Sequence, residues 1–125
     1  MVQYARPDAD DTDGNWTDQD DGSSLYAAID EASADDATTF IKVADASSNE
    51  VCIVRLSDVS APGTSGTYIK YKALTEDNMG GGQPGLKLEL LQGSSVKATT
   101  TNSSVDTSSF TAYTYTISDV SGISD

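Results

Sequence analysis

A chain of 125 residues is the size of one domain and can bury a core without disulfides. Its formal net charge of −13, from 20 acidic and 7 basic residues, argues against binding to nucleic acid or to an anionic membrane. Histidine is absent and Cys52 is the one cysteine, which excludes histidine-dependent triads and an intrachain disulfide. We expect a soluble chain made in a cytoplasm, because the sequence shows neither a secretory signal nor an apolar span.

The first 24 residues form a polar segment with seven aspartates and one tryptophan, Trp16. A lone tryptophan in such a segment either docks on the chain's own core or enters a pocket of a partner. A short strand around Trp16 favours docking. The sequence therefore predicts an extended acidic arm at 1–24 and a β-sandwich domain at 25–125.

Residues 25–31 are the one stretch that favours a helix. Leu25, Ala28 and Ile29 have the spacing of a helix face, and Ser23 or Ser24 could cap it. The stretch is short, so a single turn or an irregular strand is the alternative. Strands are predicted at 40–43 and 51–56, and the second is apolar enough to be covered on both faces, with Cys52 as a small buried thiol.

The strongest local pattern is a pair of alternating segments, 67–74 and 86–91. In the first, Ile69, Tyr71 and Ala73 share one side; in the second, every other residue is leucine. A period of two is typical of half-buried strands. A glycine-rich turn at 78–85 separates the segments, so we predict a long antiparallel hairpin.

The rest of the chain continues with strands and turns. Gln92-Gly93 is a turn, and strands are predicted at 95–101 and 110–117. Six or so strands separated by turns predict an all-β, two-sheet antiparallel sandwich of jelly-roll type. The expected core is Trp16, Ile29, Ile41, Val54, Leu56, Ile69, Tyr71, Leu88, Leu90, Tyr113, Tyr115 and Ile117.

Three aspartates of the arm, Asp8, Asp10 and Asp13, are candidate calcium ligands because hard cations prefer oxygen. Their spacing does not match an EF-hand loop, since the sixth position counted from Asp8 is Asp13 rather than glycine. A solvated acidic arm is the alternative, and no cofactor or metal is predicted.

Enzymatic activity is not expected. Cys52 has no neighbouring base, and the carboxylates lie in polar loops where their protonation should be ordinary. Tyr68 lies on the outward side of the predicted hairpin beside Lys70 and Lys72, where a tyrosine can stack on a sugar ring.

A series of short motifs runs along nearly the whole chain. They are Arg6-Pro7, Asn15-Trp16-Thr17, residues 25–31, Asp35-Asp36, Phe40-Ile41, Leu56-Ser57-Asp58-Val59, Pro62-Gly63, Tyr71 with its basic neighbour, residues 90–93, residues 113–117 and Ile123-Ser124-Asp125. Together they resemble small β-sandwich domains in virion structural proteins of tailed bacteriophages from marine and environmental samples. Such domains often carry histidine where Thr67 stands, and continue past the last motif into one more strand.

The resemblance implies a non-enzymatic virion protein, assembled in the host cytoplasm, that decorates or cements the outer face of a phage capsid. Its partners would be the major capsid protein and copies of itself, with trimers expected. Arg6 and Trp16 in the arm, and Tyr68 on the hairpin, are the expected contact residues. The alternative is a carbohydrate-binding module on a tail or head fibre, with a host glycan as ligand.

Overall fold

The computed structural model of this chain describes residues 3–43, 49–60, 66–76 and 84–124. Within these ranges the chain forms eight β-strands and one short 3-10 helix, with no α-helix. The elements are β1 (Pro7–Thr12), β2 (Thr17–Asp18), the 3-10 helix (Tyr26–Ala28), β3 (Ile41–Lys42), β4 (Ile53–Leu56), β5 (Tyr68–Ala73), β6 (Leu86–Gln92), β7 (Ser95–Asn102) and β8 (Thr111–Thr116). The predicted all-β class is confirmed.

Among the described residues, all strand pairs are antiparallel and each sheet has two strands. Contacts between residues divide the chain into two compact units, Met1–Val59 and Ser60–Asp125. In the first unit β1 pairs with β4, and β2 with β3; in the second, β5 pairs with β8, and β6 with β7. Antiparallel pairing throughout is consistent with the predicted sandwich, although the sheets are small pairs.

The N-terminal segment, predicted as an arm, belongs to the first unit. Its β1 runs beside β4, with Pro7 opposite Leu56 and Thr12 opposite Ile53, and the register shifts twice along the pair. Pairing with a later strand satisfies the backbone groups of a segment whose side chains alone give no strand signal.

The alternation predicted for the second unit is confirmed. Along β5, Tyr68, Lys70 and Lys72 are exposed while the residues between them are half-buried or buried. The same alternation runs along β6 and β8. A period of two therefore identified these strands and their inward faces correctly.

The predicted hairpin between β5 and β6 is wrong, because each strand pairs with a different neighbour. In the β5–β8 pair Tyr71 lies opposite Tyr113, and their rings stack with centroids 5.3 Å apart. Such an aromatic pair stabilises a sheet by about 0.5–1.5 kcal/mol beyond area burial, and the leucines of β6 cannot form it. β6 instead meets β7 across a tight turn in which Gly93 has φ +60°, and a short connection is closed at little entropic cost. Most of the predicted glycine-rich turn lies outside the described residues, as do Pro62 and Gly63.

The core is smaller than predicted. Five apolar residues are buried in the described ranges, namely Leu25, Ala28, Ala73, Val105 and Ile117. Of these only Ile117 was predicted. Ten predicted core residues are half-buried: Trp16, Ile29, Ile41, Val54, Ile69, Tyr71, Leu88, Leu90, Tyr113 and Tyr115. Two-stranded sheets have little area with which to cover these side chains.

Leu56 is the clear error in the predicted core, since 40% of it is exposed. It ends β4, where Arg55 is exposed as well. The expectation that residues 51–56 are covered on both faces is therefore wrong; an apolar run does not by itself reveal how many neighbours a strand has. Cys52, just before β4, is half-buried rather than buried.

Residues 25–31, predicted as a helix, a single turn or an irregular strand, form one 3-10 turn at Tyr26–Ala28. Neither predicted serine caps it, and no side chain at its own N-cap position makes a capping hydrogen bond. Among the described residues, no helix is both long and apolar enough to cross a membrane.

Candidate partner-binding surfaces

Arg6 is held by its backbone next to the end of β4. Its N–H donates to Ser57 Oγ at 3.1 Å, and its carbonyl accepts from the Ser57 N–H at 2.7 Å. The guanidinium lies over the ring of Tyr4, with Cζ 5.2 Å from the ring centroid, and Tyr4 is 63% exposed. Arg6 and Tyr4 together present a cationic and aromatic surface at the start of the described chain.

Trp16 docks on its own chain. The indole Nε1–H donates to the carbonyl of Glu50 at 3.1 Å, and the backbone N–H donates to the carbonyl of Asp13 at 3.1 Å. The side chain is half-buried. Gly14 makes this turn possible, because it has φ +60° and an added Cβ would lie 2.2 Å from the carbonyl oxygen of Val51. Docking leaves only part of the indole for a partner, and its role in binding one stays a prediction.

Asp10 caps the 3-10 helix from a neighbouring strand. Its two carboxylate oxygens accept the N–H groups of Leu25, at 3.0 Å, and Tyr26, at 2.7 Å. Because Leu25 is fully buried, its N–H would otherwise have no access to water. Asp10 therefore has a structural task that the sequence did not reveal, since 15 residues separate it from Leu25.

The three calcium candidates do not form a cation site in the described part of the chain. Asp8 is exposed, Asp10 is engaged by the helix and Asp13 is half-buried. No group of three or more histidine, cysteine, aspartate or glutamate side chains in the described ranges could hold a metal ion.

Tyr68 lies on an exposed face of the β5–β8 pair. It is 51% exposed, and Lys70 Nζ lies 5.8 Å from the centroid of its ring. Lys72 follows two residues later on the same exposed side. The β8 residues opposite these three are Thr116, Thr114 and Ala112, all exposed and uncharged. We call these six residues the β5–β8 outer face; it carries two cations and no carboxylate.

Charge is distributed unequally between the two units. Met1–Val59 contains 14 acidic and 3 basic residues, a net charge of −11, whereas Ser60–Asp125 contains 6 acidic and 4 basic residues, a net charge of −2. Four of the five lysines are in the second unit. The β5–β8 outer face carries two of these four lysines.

Cys52 and two aspartates in turns have shifted pKa values. Burial, with the nearby carboxylates of Asp13 and Asp10, raises the pKa of the Cys52 thiol to about 11, so little nucleophilic thiolate forms at neutral pH. Hydrogen bonds from Ser108 and Ser109 lower the pKa of Asp106 to about 2. The pKa of Asp119 is also lowered, by hydrogen bonds from Ser121. These two carboxylates are held ionised in turns, unlike general acids, whose pKa is raised.

Asp106, which the sequence did not single out, organises the connection between β7 and β8. The Asp106 N–H donates to Tyr113 Oη at 2.9 Å, and the Asp106 carbonyl accepts the Thr75 N–H at 3.0 Å. Val105, beside it, is 2% exposed. The spacing Asp106-Thr107-Ser108 is a signal for an aspartate turn that could have identified this feature.

No protein-family model, curated protein or solved structure matches this chain. The similarity to phage virion domains consequently depends on the short motifs alone, and stays a prediction.

Proposed function

We propose that this chain is a non-enzymatic virion structural protein that decorates or cements the outer face of a bacteriophage capsid. Its partners are the major capsid protein and further copies of itself, and it is incorporated into virions assembled in the host cytoplasm. The bacteriophage setting comes from the series of motifs that begins at Arg6-Pro7.

The observation that carries the proposal is the combination of narrow sheets and exposed apolar side chains. Two-stranded sheets are marginal on their own and gain stability from further packing. In the described ranges, Tyr4, Val51 and Val96 are each at least half exposed, while five apolar residues are buried. A domain of this kind gains apolar burial when it lies against a partner, as a cement protein lies against a capsid.

Two further observations agree with a binding role rather than a catalytic one. The chain has no histidine, the commonest general base. The raised pKa of Cys52 and the lowered pKa of Asp106 are both shifts away from catalytic use at neutral pH.

The test is the heat stability of virions that contain or lack the chain. Particles stripped of it should release their DNA at a lower temperature, and adding back the purified chain should restore the original temperature. Tyr4→Ala with Arg6→Ala should restore less than wild type, because these side chains present an exposed aromatic and cationic surface. Arg55→Ala, at an exposed position on β4, is the matched control. Equal heat stability with and without the chain would rule out cementing.

The second candidate is a carbohydrate-binding module, favoured by the exposure of Tyr68. Its ring stands beside Lys70 and opposite Thr116, so that stacking and hydrogen bonding to a sugar are both available. A glycan array probed with wild type and Tyr68→Ala tests it. Binding to a defined glycan that is lost in Tyr68→Ala, with unchanged particle stability, would favour adhesion over cementing.

A further inference from the structure

We propose that Asp13, in the turn after β1, is a site of spontaneous isomerisation to isoaspartate, and that the fold protects Asp21 from the same reaction. The sequence contains two Asp-Gly dipeptides, Asp13-Gly14 and Asp21-Gly22. Both belong to the first unit. The inference does not depend on the proposed function, because it concerns the chemistry of the main chain.

The reaction needs only the aspartate, the residue after it and water. The backbone nitrogen of the glycine attacks the side-chain carboxyl carbon and forms an N–C bond, while the carboxyl OH leaves as water with the amide proton. The product is a five-membered succinimide ring. When water then breaks the bond from this nitrogen to the former backbone carbonyl, the chain runs through the side chain and its backbone is one CH2 group longer. Glycine favours the attack because it has no Cβ to block the approach.

Both reacting groups are available at Asp13-Gly14. Among the described residues, none accepts a hydrogen bond from the Gly14 N–H, and none forms a hydrogen bond or an ion pair with the Asp13 carboxylate. Gly14 is exposed and Asp13 is half-buried. The attack requires rotation about the Cα–C bond of Asp13. One described hydrogen bond opposes that rotation, from the Trp16 N–H to the Asp13 carbonyl at 3.1 Å.

Asp21-Gly22 is held by several contacts. The Gly22 N–H donates to Asp18 Oδ1 at 2.8 Å, so the glycine nitrogen loses a hydrogen bond to a charged group when it turns towards the Asp21 carboxyl. Two backbone hydrogen bonds close the same loop, from the Asp21 N–H to the Asp18 carbonyl at 3.1 Å and from the Asp18 N–H to the Gly22 carbonyl at 3.0 Å. The Asp21 carboxylate also pairs with Lys42 Nζ at 2.8 Å, although its exposure makes this pair weak. Attack at Asp21 therefore requires more contacts to open than attack at Asp13.

Isomerisation at Asp13 would change the surroundings of Trp16. The turn packs closely at Gly14, where an added Cβ would lie 2.2 Å from the carbonyl oxygen of Val51, so a longer backbone cannot follow the same path. The rearranged turn loses the hydrogen bond from the Trp16 N–H. It also moves the indole away from the carbonyl of Glu50, which accepts its Nε1–H at 3.1 Å. Isoaspartate therefore releases the docked tryptophan and leaves the net charge unchanged.

The experiment is prolonged incubation of the purified full chain in mildly acidic buffer at physiological temperature, folded and in guanidinium chloride. Isoaspartate is located by digestion with a protease that cleaves before aspartate but not before isoaspartate, followed by mass spectrometry. In the folded chain it should form at Asp13 about tenfold or more faster than at Asp21, because more hydrogen bonds must open at Asp21. In guanidinium chloride the two rates should be similar, since both residues precede glycine.

Variants of Asp18 test the protection of Asp21. Asp18→Ala removes the acceptor of the Gly22 N–H and should raise the rate at Asp21 severalfold, with the rate at Asp13 unchanged. Asp18→Asn keeps an acceptor oxygen and should retain most of the protection. Circular dichroism establishes that each variant is folded. The comparison of folded and unfolded wild type tests the same protection if Asp18→Ala does not fold.

Asp13→Glu is the matched control for Trp16, because its longer side chain would have to close a six-membered ring, which forms more slowly. The fluorescence of Trp16 should shift to longer wavelength in wild type as isoaspartate accumulates, and should stay constant in Asp13→Glu over the same incubation.

Three results would overturn the inference. They are equal rates at the two dipeptides in the folded chain, a ratio of rates that is the same in guanidinium chloride, and an unchanged rate at Asp21 in folded Asp18→Ala. Accumulation of isoaspartate at Asp13 with constant Trp16 fluorescence would overturn the release of the indole.

Discussion

Replacing Asp10 with alanine should destabilise the first unit more than any other single change to an acidic residue of β1. Its carboxylate accepts two backbone N–H groups, from Leu25 and Tyr26, at 3.0 and 2.7 Å. Leu25 is fully buried, so alanine at position 10 leaves a buried donor without a partner.

The magnitude follows from the loss of these two hydrogen bonds. Removing a helix-capping side chain costs about 0.5–2 kcal/mol, and hydrogen bonds to a charged group contribute about 1.5–3 kcal/mol. We expect Asp10→Ala to lower the free energy of unfolding by about 2–3 kcal/mol. The loss is not larger because water reaches the N–H group of the half-buried Tyr26 and recovers part of it. Asp10→Asn, which keeps one acceptor oxygen, should lose about half as much.

Urea unfolding followed by the fluorescence of Trp16 is the assay, since this tryptophan lies in the same unit as Asp10. Asp11→Ala is the matched control, an exposed neighbour on the same strand, and should change stability by less than about 0.5 kcal/mol. The loss in Asp10→Ala should be the same with calcium and with a chelator. Equal effects of the two substitutions, or a loss seen only with calcium, would refute the capping role.

Three further predictions concern the rest of the chain. Tyr113→Phe removes the oxygen that accepts the Asp106 N–H and should lower stability by about 1 kcal/mol in thermal unfolding; an unchanged melting temperature would contradict the role of this bond. The pKa of Asp106 is about 2 in the folded chain against an ordinary 3.8. Its contribution to stability is therefore complete above about pH 4 and is lost as the pH falls towards 2. The stability of Asp106→Asn should accordingly depend less on pH than that of wild type over that window. Cys52, with a pKa of about 11, should react slowly with iodoacetamide at pH 8 in the folded chain and rapidly in urea, and equal rates would contradict the raised pKa.

The sequence by itself determined the local properties of the second unit. Ile69, Tyr71 and Ala73 face inward because a strand has a period of two, and that period can be counted without knowing the neighbouring strand. The turn at Gly93 could likewise be predicted from the sequence, because the positive φ that it requires is a property of that residue alone. Composition and charge argued against classes of partner but identified none.

Tertiary structure decided which strands pair, and that pairing set the burial. β5 pairs with β8, where Tyr71 lies opposite Tyr113, 42 residues away along the chain, and an alternating pattern does not specify which strand is the partner. The sequence suggested Asp10 only as a candidate calcium ligand, whereas the fold places the N–H groups of Leu25 and Tyr26 against its carboxylate. The composition of the β5–β8 outer face likewise depends on the pairing, because Thr116, Thr114 and Ala112 come to lie opposite Tyr68 and the two lysines from a strand that is distant in sequence.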